Sequence, residues 1–267
     1  MNNRERKMLD ILRQGKESYG YVGVKAEFEA EGTRIDELMR LYEIAHKADV
    51  NIGIKVGGCE AVKDLLECRQ LGVEYIIAPM IESPYALSKF IDAKNKVFNQ
   101  EERKNIRYLF NIETVDAYDK LDALIEQATL NDDGIDGVVF GRVDFSLSKG
   151  LSRDDVNSDT VTSYILKVAE ACRVKNLDMV VGGGISMDSL PMLRKIAEVH
   201  LTRFETRKVI FAGNALGVKD VSRGLLQAVR FELLWLQNKR DYYGSIERED
   251  DTRIYMLEER WKVLSCG

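Results

Sequence analysis

Histidine is scarce in this chain: His46 and His200 are the only two in 267 residues. Cysteine is nearly as thin, and Cys59, Cys68, Cys172 and Cys266 are scattered without the paired spacing of a zinc site. They are read as reduced thiols of an intracellular protein. A cysteine nucleophile needs an imidazole beside it. His46 falls in a helical run and His200 just before a strand, so both are read as structural. No apolar run approaches the roughly 18 residues of a spanning helix, and Met1 to Gln14 is charged and amphipathic with no signal-peptide core. The expected address is cytoplasmic, with no membrane partner. Basic charge is also short: 39 Lys and Arg against 44 Asp and Glu leave a net charge of −5. With a pI near 5.4, this argues against nucleic acid as a partner. Low-complexity linkers and short-period repeats are absent.

What is present is an ordinary globular composition, 45% hydrophobic and 31% charged. The length fits one large α/β barrel as well as two smaller domains. After an N-terminal helix over residues 3–14, with Met8, Ile11 and Leu12 as its stripe, strands and helices alternate. Strands are predicted at residues 20–28, 51–56, 73–81, 107–112, 137–142, 178–181 and 201–209. Helices are predicted between them at 35–48, 60–70, 85–97, 117–128, 161–174 and 188–197. Such alternation implies a parallel sheet with right-handed crossovers. The expectation is a single (β/α)8 TIM barrel spanning residues 1–267, with residues 1–15 as an N-terminal helix. Seven strands are visible where eight close a standard barrel, so either an irregular strand lies near Ser18 or Ala212 or the barrel is atypical. From Val221 the pattern changes to long helices, with Leu225, Val229, Leu233 and Leu236 on one face. This extension, residues 221–267, is expected to cap the barrel or dock on a neighbouring subunit.

Alternation along each strand separates helix-facing from interior side chains. Val22, Val24, Ala26 and Phe28 are assigned outward, leaving Gly23, Lys25 and Glu27 inside. Ile52, Ile54 and Val56 go outward and Lys55 inward. Val73, Tyr75, Ile77, Pro79 and Ile81 are assigned outward, which puts Glu82 inside. Tyr108, Phe110 and Ile112 go outward, with Asn111 and Glu113 inside; Arg142 shares a face with Asp144, and Arg203 with Glu205. Charges inside a barrel are expensive unless paired, hydrated or bound to a ligand, so their convergence marks a site. The stretch from Ile106 to Gly150 anchors it. Its two strands end in Glu113 and Asp144, and parallel strands bring both acids to one mouth, where they suit a hard divalent cation.

These residues resemble a known family. IKVGGCEAVKDLLECRQLGVEYIIAPMIESPYAL from Ile54, NIET at Asn111 and DGVVFGRVDFSLSKG from Asp136 are similar to the metal-dependent 2-oxo-acid aldolases and citrate lyase β-subunits. The resemblance runs from about Lys25 to Gly150. It implies an often oligomeric barrel, hence a homo-oligomer, which cleaves or forms a carbon–carbon bond beside a pyruvate-type enolate. By the family pattern Glu113 and Asp144 hold Mg2+ or Mn2+, and backbone N–H groups around Gly141, Arg142 and Val143 hold the carboxylate of a 2-oxo acid or related substrate. The sequence departs from the pattern at three places. Lys55 stands where the aldolases carry an arginine, Glu27 or Glu29 where they carry a histidine, and Arg142 where a proline is usual. Lys55 with Arg142 is expected to stabilise the enolate oxygen, and Glu27 or Glu29 to transfer the proton.

Two other readings remain open. VVGGGIS at Val180 to Ser186 is a glycine-rich strand end whose Gly183 and Gly184 would grip a phosphate in a sugar-phosphate lyase, epimerase or isomerase, with Lys25 or Lys55 as a Schiff-base amine. The same turn also reads as a tight packing turn. Alternatively the barrel has lost its chemistry and binds a metabolite.

Overall fold

The computed structural model describes residues 1–130 and 134–265. Cys266 lies outside the described residues. Helix α1 (Asn3–Ser18) opens the chain, its N-terminus closed by a reciprocal capping box between Asn2 and Glu5. Then follow β1 (Tyr21–Glu27), α2 (Ile35–Ala48), β2 (Asn51–Lys55), α3 (Val62–Leu71), β3 (Tyr75–Ala78), α4 (Pro84–Val97), the short α5 (Gln100–Arg103) and β4 (Arg107–Ile112). The second half runs α6 (Val115–Asp119), α7 (Leu121–Ala128), β5 (Gly137–Gly141), α8 (Arg142–Ser148), α9 (Asp159–Val174), β6 (Asp178–Gly182), α10 (Leu190–Ala197), β7 (Arg203–Glu205), β8 (Val209–Ala212) and α11 (Val221–Ser265). None of the described helices is long and apolar enough to cross a membrane.

The eight strands close a barrel in sequence order. The barrel is atypical in one respect: β8 runs antiparallel to both β7 and β1. The expected last strand, residues 201–209, is in fact β7, a three-residue turn and the first residue of β8. A parallel return needs a crossover of a dozen or more residues, and only Thr206, Arg207 and Lys208 separate the two strands, so the chain can only form a hairpin. Thr206 N–H donates to the Val209 carbonyl (2.9 Å) and Val209 N–H to Thr206 Oγ1 (3.1 Å). Phe204 and Phe211, opposite each other in the ladder, stack with ring centroids 4.8 Å apart. The eighth strand thus does lie by Ala212, in reversed direction.

The main core sits between strands and helices, with Val24, Ile54, Ile76, Phe110, Phe140 and Phe204 pointing out to it. A second apolar cluster fills the lower barrel: Tyr75, Ile77, Leu109, Val139, Val180 and Ile210, with Val22 against it. This corrects two interior assignments. Tyr75 and Ile77 face inward and Ile76 and Ala78 outward, because YIIA is apolar on both faces and its pattern carries no parity. Val22 turns inward because the pairing of β1 with β8 slips between Tyr21 and Gly23, and a bulge flips the alternation. Arg203, grouped by sequence with the interior charges, lies at the opposite end of the barrel from the mouth. It pairs with Asp178 at the start of β6 (2.8 Å) and covers the Tyr75 ring at 4.6 Å. Above this apolar layer, the polar interior side chains Lys25, Glu27, Lys55, Asn111 and Glu113 gather at the C-terminal mouth.

Candidate active site

Glu113 is the centre of the mouth. It is 2% exposed, and its carboxylate accepts from Asn111 Nδ2 (2.6 Å), Lys55 Nζ (3.2 Å) and Met80 N–H (2.9 Å). A Cβ on Gly141 would stand 2.8 Å from Glu113 Cβ and 2.9 Å from Oε2, so only glycine lets the carboxylate lie there. Asp144, on the first turn of α8, is more open. Partial burial and the charge of Glu113 raise its proton affinity, against the pull of Lys55. Asn111 is buried, and its Oδ1 has no hydrogen-bond partner.

Two lysines bind the remaining acids. Lys55 bridges Glu113 to Glu29 on the loop after β1, 3.2 Å from each. Buried Lys25 sits between Glu205 and Glu27 (3.3 Å to the latter). Burial works to discharge both lysines, but the carboxylates outweigh it and raise both pKa values. Neither is the neutral amine a Schiff base requires. Glu27 is held below the usual carboxylate range: burial opposes ionisation, but Lys25, Lys55 and Arg207 overcome it. At the rim, Glu31 takes ion pairs from Arg207 and Lys208 of the β7–β8 turn, which ties that turn to the loop carrying Glu29.

Several expected residues lie elsewhere. Arg142 is fully buried behind the mouth, and its guanidinium is spent on neutral oxygens: the carbonyls of Gly182 (3.2 Å), Gly183 (2.7 Å) and Val156 (3.3 Å), Asn157 Oδ1 (2.7 Å) and Ser189 Oγ (3.3 Å). Burial pushes its pKa down to about 10. It therefore does not supply a cation beside Lys55. Its work is to clamp the glycine-rich turn to α8. Gly183 (φ 79°) and Gly184 (φ 66°) make that a packed turn, since a Cβ on Gly183 would stand 2.9 Å from the Arg142 nitrogen and 2.8 Å from that of Val143. Glu82 is half-buried, its backbone carbonyl accepting from Lys120 Nζ (2.8 Å). His46 is exposed on α2 and stacks on Tyr42, while His200 Nε2 meets the Leu177 carbonyl. Cys59, Cys68 and Cys172 are free thiols. Met80 was invisible in the sequence. It holds a left-handed φ of 50°, an uncommon conformation for this residue type, and that turn aims its N–H at Glu113.

The model of the HpcH/HpaI aldolase/citrate lyase family matches residues 33–199. The chain belongs to that family. Solved structures give the HpcH/HpaI fold independently. The HpcH/HpaI aldolase of Desulfitobacterium hafniense DCB-2 superposes with a TM-score of 0.61 at 16% identity, over 74% of this chain and 82% of that one. A HpcH/HpaI aldolase/citrate lyase family protein of Burkholderia cenocepacia J2315 gives 0.60 at 14% identity, over 85% and 90%. The citrate synthase SbnG gives 0.58 at 17% identity, over 74% and 81%. No curated protein matches the chain by sequence. HpcH/HpaI proteins act on small carboxylate substrates and generally depend on a divalent metal ion.

The mouth fits such an ion. Among the described residues no group of three or more His, Cys, Asp or Glu side chains is placed to hold a metal. A magnesium-type ion does not need one, because it binds through one or two carboxylates and takes its other oxygens from water and substrate. Glu113 and Asp144 offer two carboxylates, burial and then the charge of Glu113 raising the pKa of Asp144, and Asn111 Oδ1 is an unpaired oxygen beside Glu113.

Proposed function

We propose that this chain is a divalent-metal-dependent carbon–carbon lyase of the aldolase type, working beside the pyruvate-type enolate of a 2-oxo acid. The observation that carries the reading is the pair Glu113 and Asp144, two carboxylates at one mouth whose repulsion a divalent cation would relieve. Glu113 and Asp144 would hold the ion. When bound, it supplies a Lewis acid to the oxo and carboxylate oxygens of the substrate. Asn111, Met80 N–H and Lys55 orient Glu113, so its geometry is set before substrate arrives. The backbone N–H groups at the start of α8, Val143 among them, where the missing Cβ of Gly183 leaves room, would donate to the substrate carboxylate. Lys55 adds a fixed positive charge to the enolate side of the mouth. Both proton-transfer candidates are paired with a lysine, but Glu27 is buried beside Lys25 whereas Glu29 is one-third exposed on its loop, so Glu29 is the one able to exchange the proton with solvent.

The test is deuterium exchange at the methyl group of pyruvate with added Mg2+ or Mn2+, which needs no aldehyde partner. Exchange should stop in EDTA and fall by roughly 100-fold or more in Glu113→Gln and Asp144→Asn, with far-UV circular dichroism unchanged. Wild-type exchange in both variants, or exchange that survives EDTA, sinks the metal-enolate reading. No exchange with metal demonstrably bound points to a metabolite-binding barrel instead.

A further inference from the structure

Helix α11 is 45 residues long, roughly 67 Å at 1.5 Å per residue, and the barrel uses only its first half. Val221, Leu225, Ala228, Phe231 and Trp235 are buried on the barrel side, so Leu225 does not share the exposed face of Val229, Leu233 and Leu236 as its spacing suggests, and Tyr21 Oη donates to the Gly224 carbonyl (2.5 Å). From Ser245 to Ser265 every residue is exposed.

The opposite face of α11 carries a 3-4 repeat that does not break along its length. Leu226, Val229, Leu233 and Leu236 occupy it at one end and Ile254, Leu257, Trp261 and Leu264 at the other, all between 52% and 73% exposed. The four positions between are polar or amphipathic: Arg240, Tyr243, Glu247 and Asp250. Such a seam is the pattern of a helix that packs on another helix.

The seam is self-complementary about Ser245. In an antiparallel pair of α11 helices, Leu226 meets the partner's Leu264, Val229 the partner's Trp261, Leu233 the partner's Leu257 and Leu236 the partner's Ile254. Across the polar middle, Arg240 meets the partner's Asp250, while Tyr243, whose hydroxyl donates to Glu37 of its own chain, lies opposite the partner's Glu247. The flanking positions agree: Arg230 lies opposite the partner's Glu258, and Glu232 opposite the partner's Arg260. One pair opposes, Lys239 with the partner's Arg253, and Lys239 is already held by Glu37 of its own chain (2.9 Å). A parallel pair would set Arg240, Glu247 and Asp250 each against its own copy, a like-charge ladder. Over residues 221–236 the barrel packs on the face of α11 away from the seam, and Tyr243 of the seam reaches α2 by donating to Glu37 (2.6 Å), so each barrel sits at its own end of the pair.

We propose that this face of α11 is a homodimer interface, in which a second copy of the chain lays its helix tail antiparallel along the first half of α11, in register about Ser245. The interface is independent of the chemistry at the mouth.

Sedimentation equilibrium of the full chain should give twice the monomer mass, or an even multiple of it. Leu257→Asp, on the exposed tail, should weaken association at least tenfold with helix content intact. Glu258→Arg should do the same, and adding Arg230→Glu should restore it. For the register, the double variant Leu233→Cys with Leu257→Cys should form a covalent dimer on oxidation, and neither single variant should. A monomer at all concentrations, a dimer that survives Leu257→Asp, or efficient crosslinking by Leu233→Cys alone would each overturn the proposal.

Discussion

The added methyl of Gly141→Ala is the mildest perturbation that reaches the proposed metal site. The new Cβ would stand 2.8 Å from Glu113 Cβ, which is fixed to its own strand end and cannot swing clear as a long flexible side chain could. Either β5 moves away from β4 or the Glu113 carboxylate leaves its place, and with it go the bonds from Asn111, Lys55 and Met80. Overpacking of this kind costs about 1–3 kcal/mol. In a protein of this size, that lowers the melting temperature by roughly 2–10 °C. Displacing a preset ligand should weaken metal binding by about 10–100-fold. The assay pairs calorimetric Mn2+ titration with thermal unfolding, using Gly58→Ala as the control, since a Cβ there meets nothing within 4 Å. Wild-type Mn2+ affinity in Gly141→Ala would refute the claim that Glu113 binds the ion from this position.

Two further outcomes follow from the ion pairs. Lys25→Met leaves Glu27 and Glu205 buried without their cation and should cost about 3–5 kcal/mol in urea unfolding, part of it recovered by adding Glu205→Gln. A loss under 1 kcal/mol would mean the lysine is not what balances these acids. Glu27 titrates below its ordinary value when folded, so its contribution to stability is present above about pH 4.5 and is lost as the pH falls through the folded value. The stability gap between wild type and Glu27→Gln should therefore narrow as melting is followed from pH 7 down to pH 3. A constant gap would refute the assignment.

Much of the site was legible because it depends on strand ends. From Phe110 the strand alternates with polar Asn111 and Glu113, so the inward direction of Glu113 follows from parity. Lys25, Glu27 and Lys55 were placed inside by the same argument and do line the mouth. Parity failed where both faces are apolar, as at Tyr75 and Ile77, and where a bulge resets it, as at Val22. Arg142 misled because it follows the end of β5, where the backbone has already turned into α8, and strand alternation no longer says where a side chain points. Met80 has no signature at all, since its contribution is a backbone N–H.

By itself, the sequence determined the strand–helix alternation, the acid at the end of β4, and the change to long helix from Val221. These rest on local periodicity, which a chain carries wherever it folds. Tertiary structure alone decided the rest. It reversed β8, because a three-residue link permits no crossover. It turned Arg142 away from the mouth to hold Gly182 and Gly183. It joined Lys55 to Glu29 and Glu113, and Lys25 to Glu27 and Glu205. Which charge balances which is a matter of distance across the barrel, and closure of the sheet sets those distances.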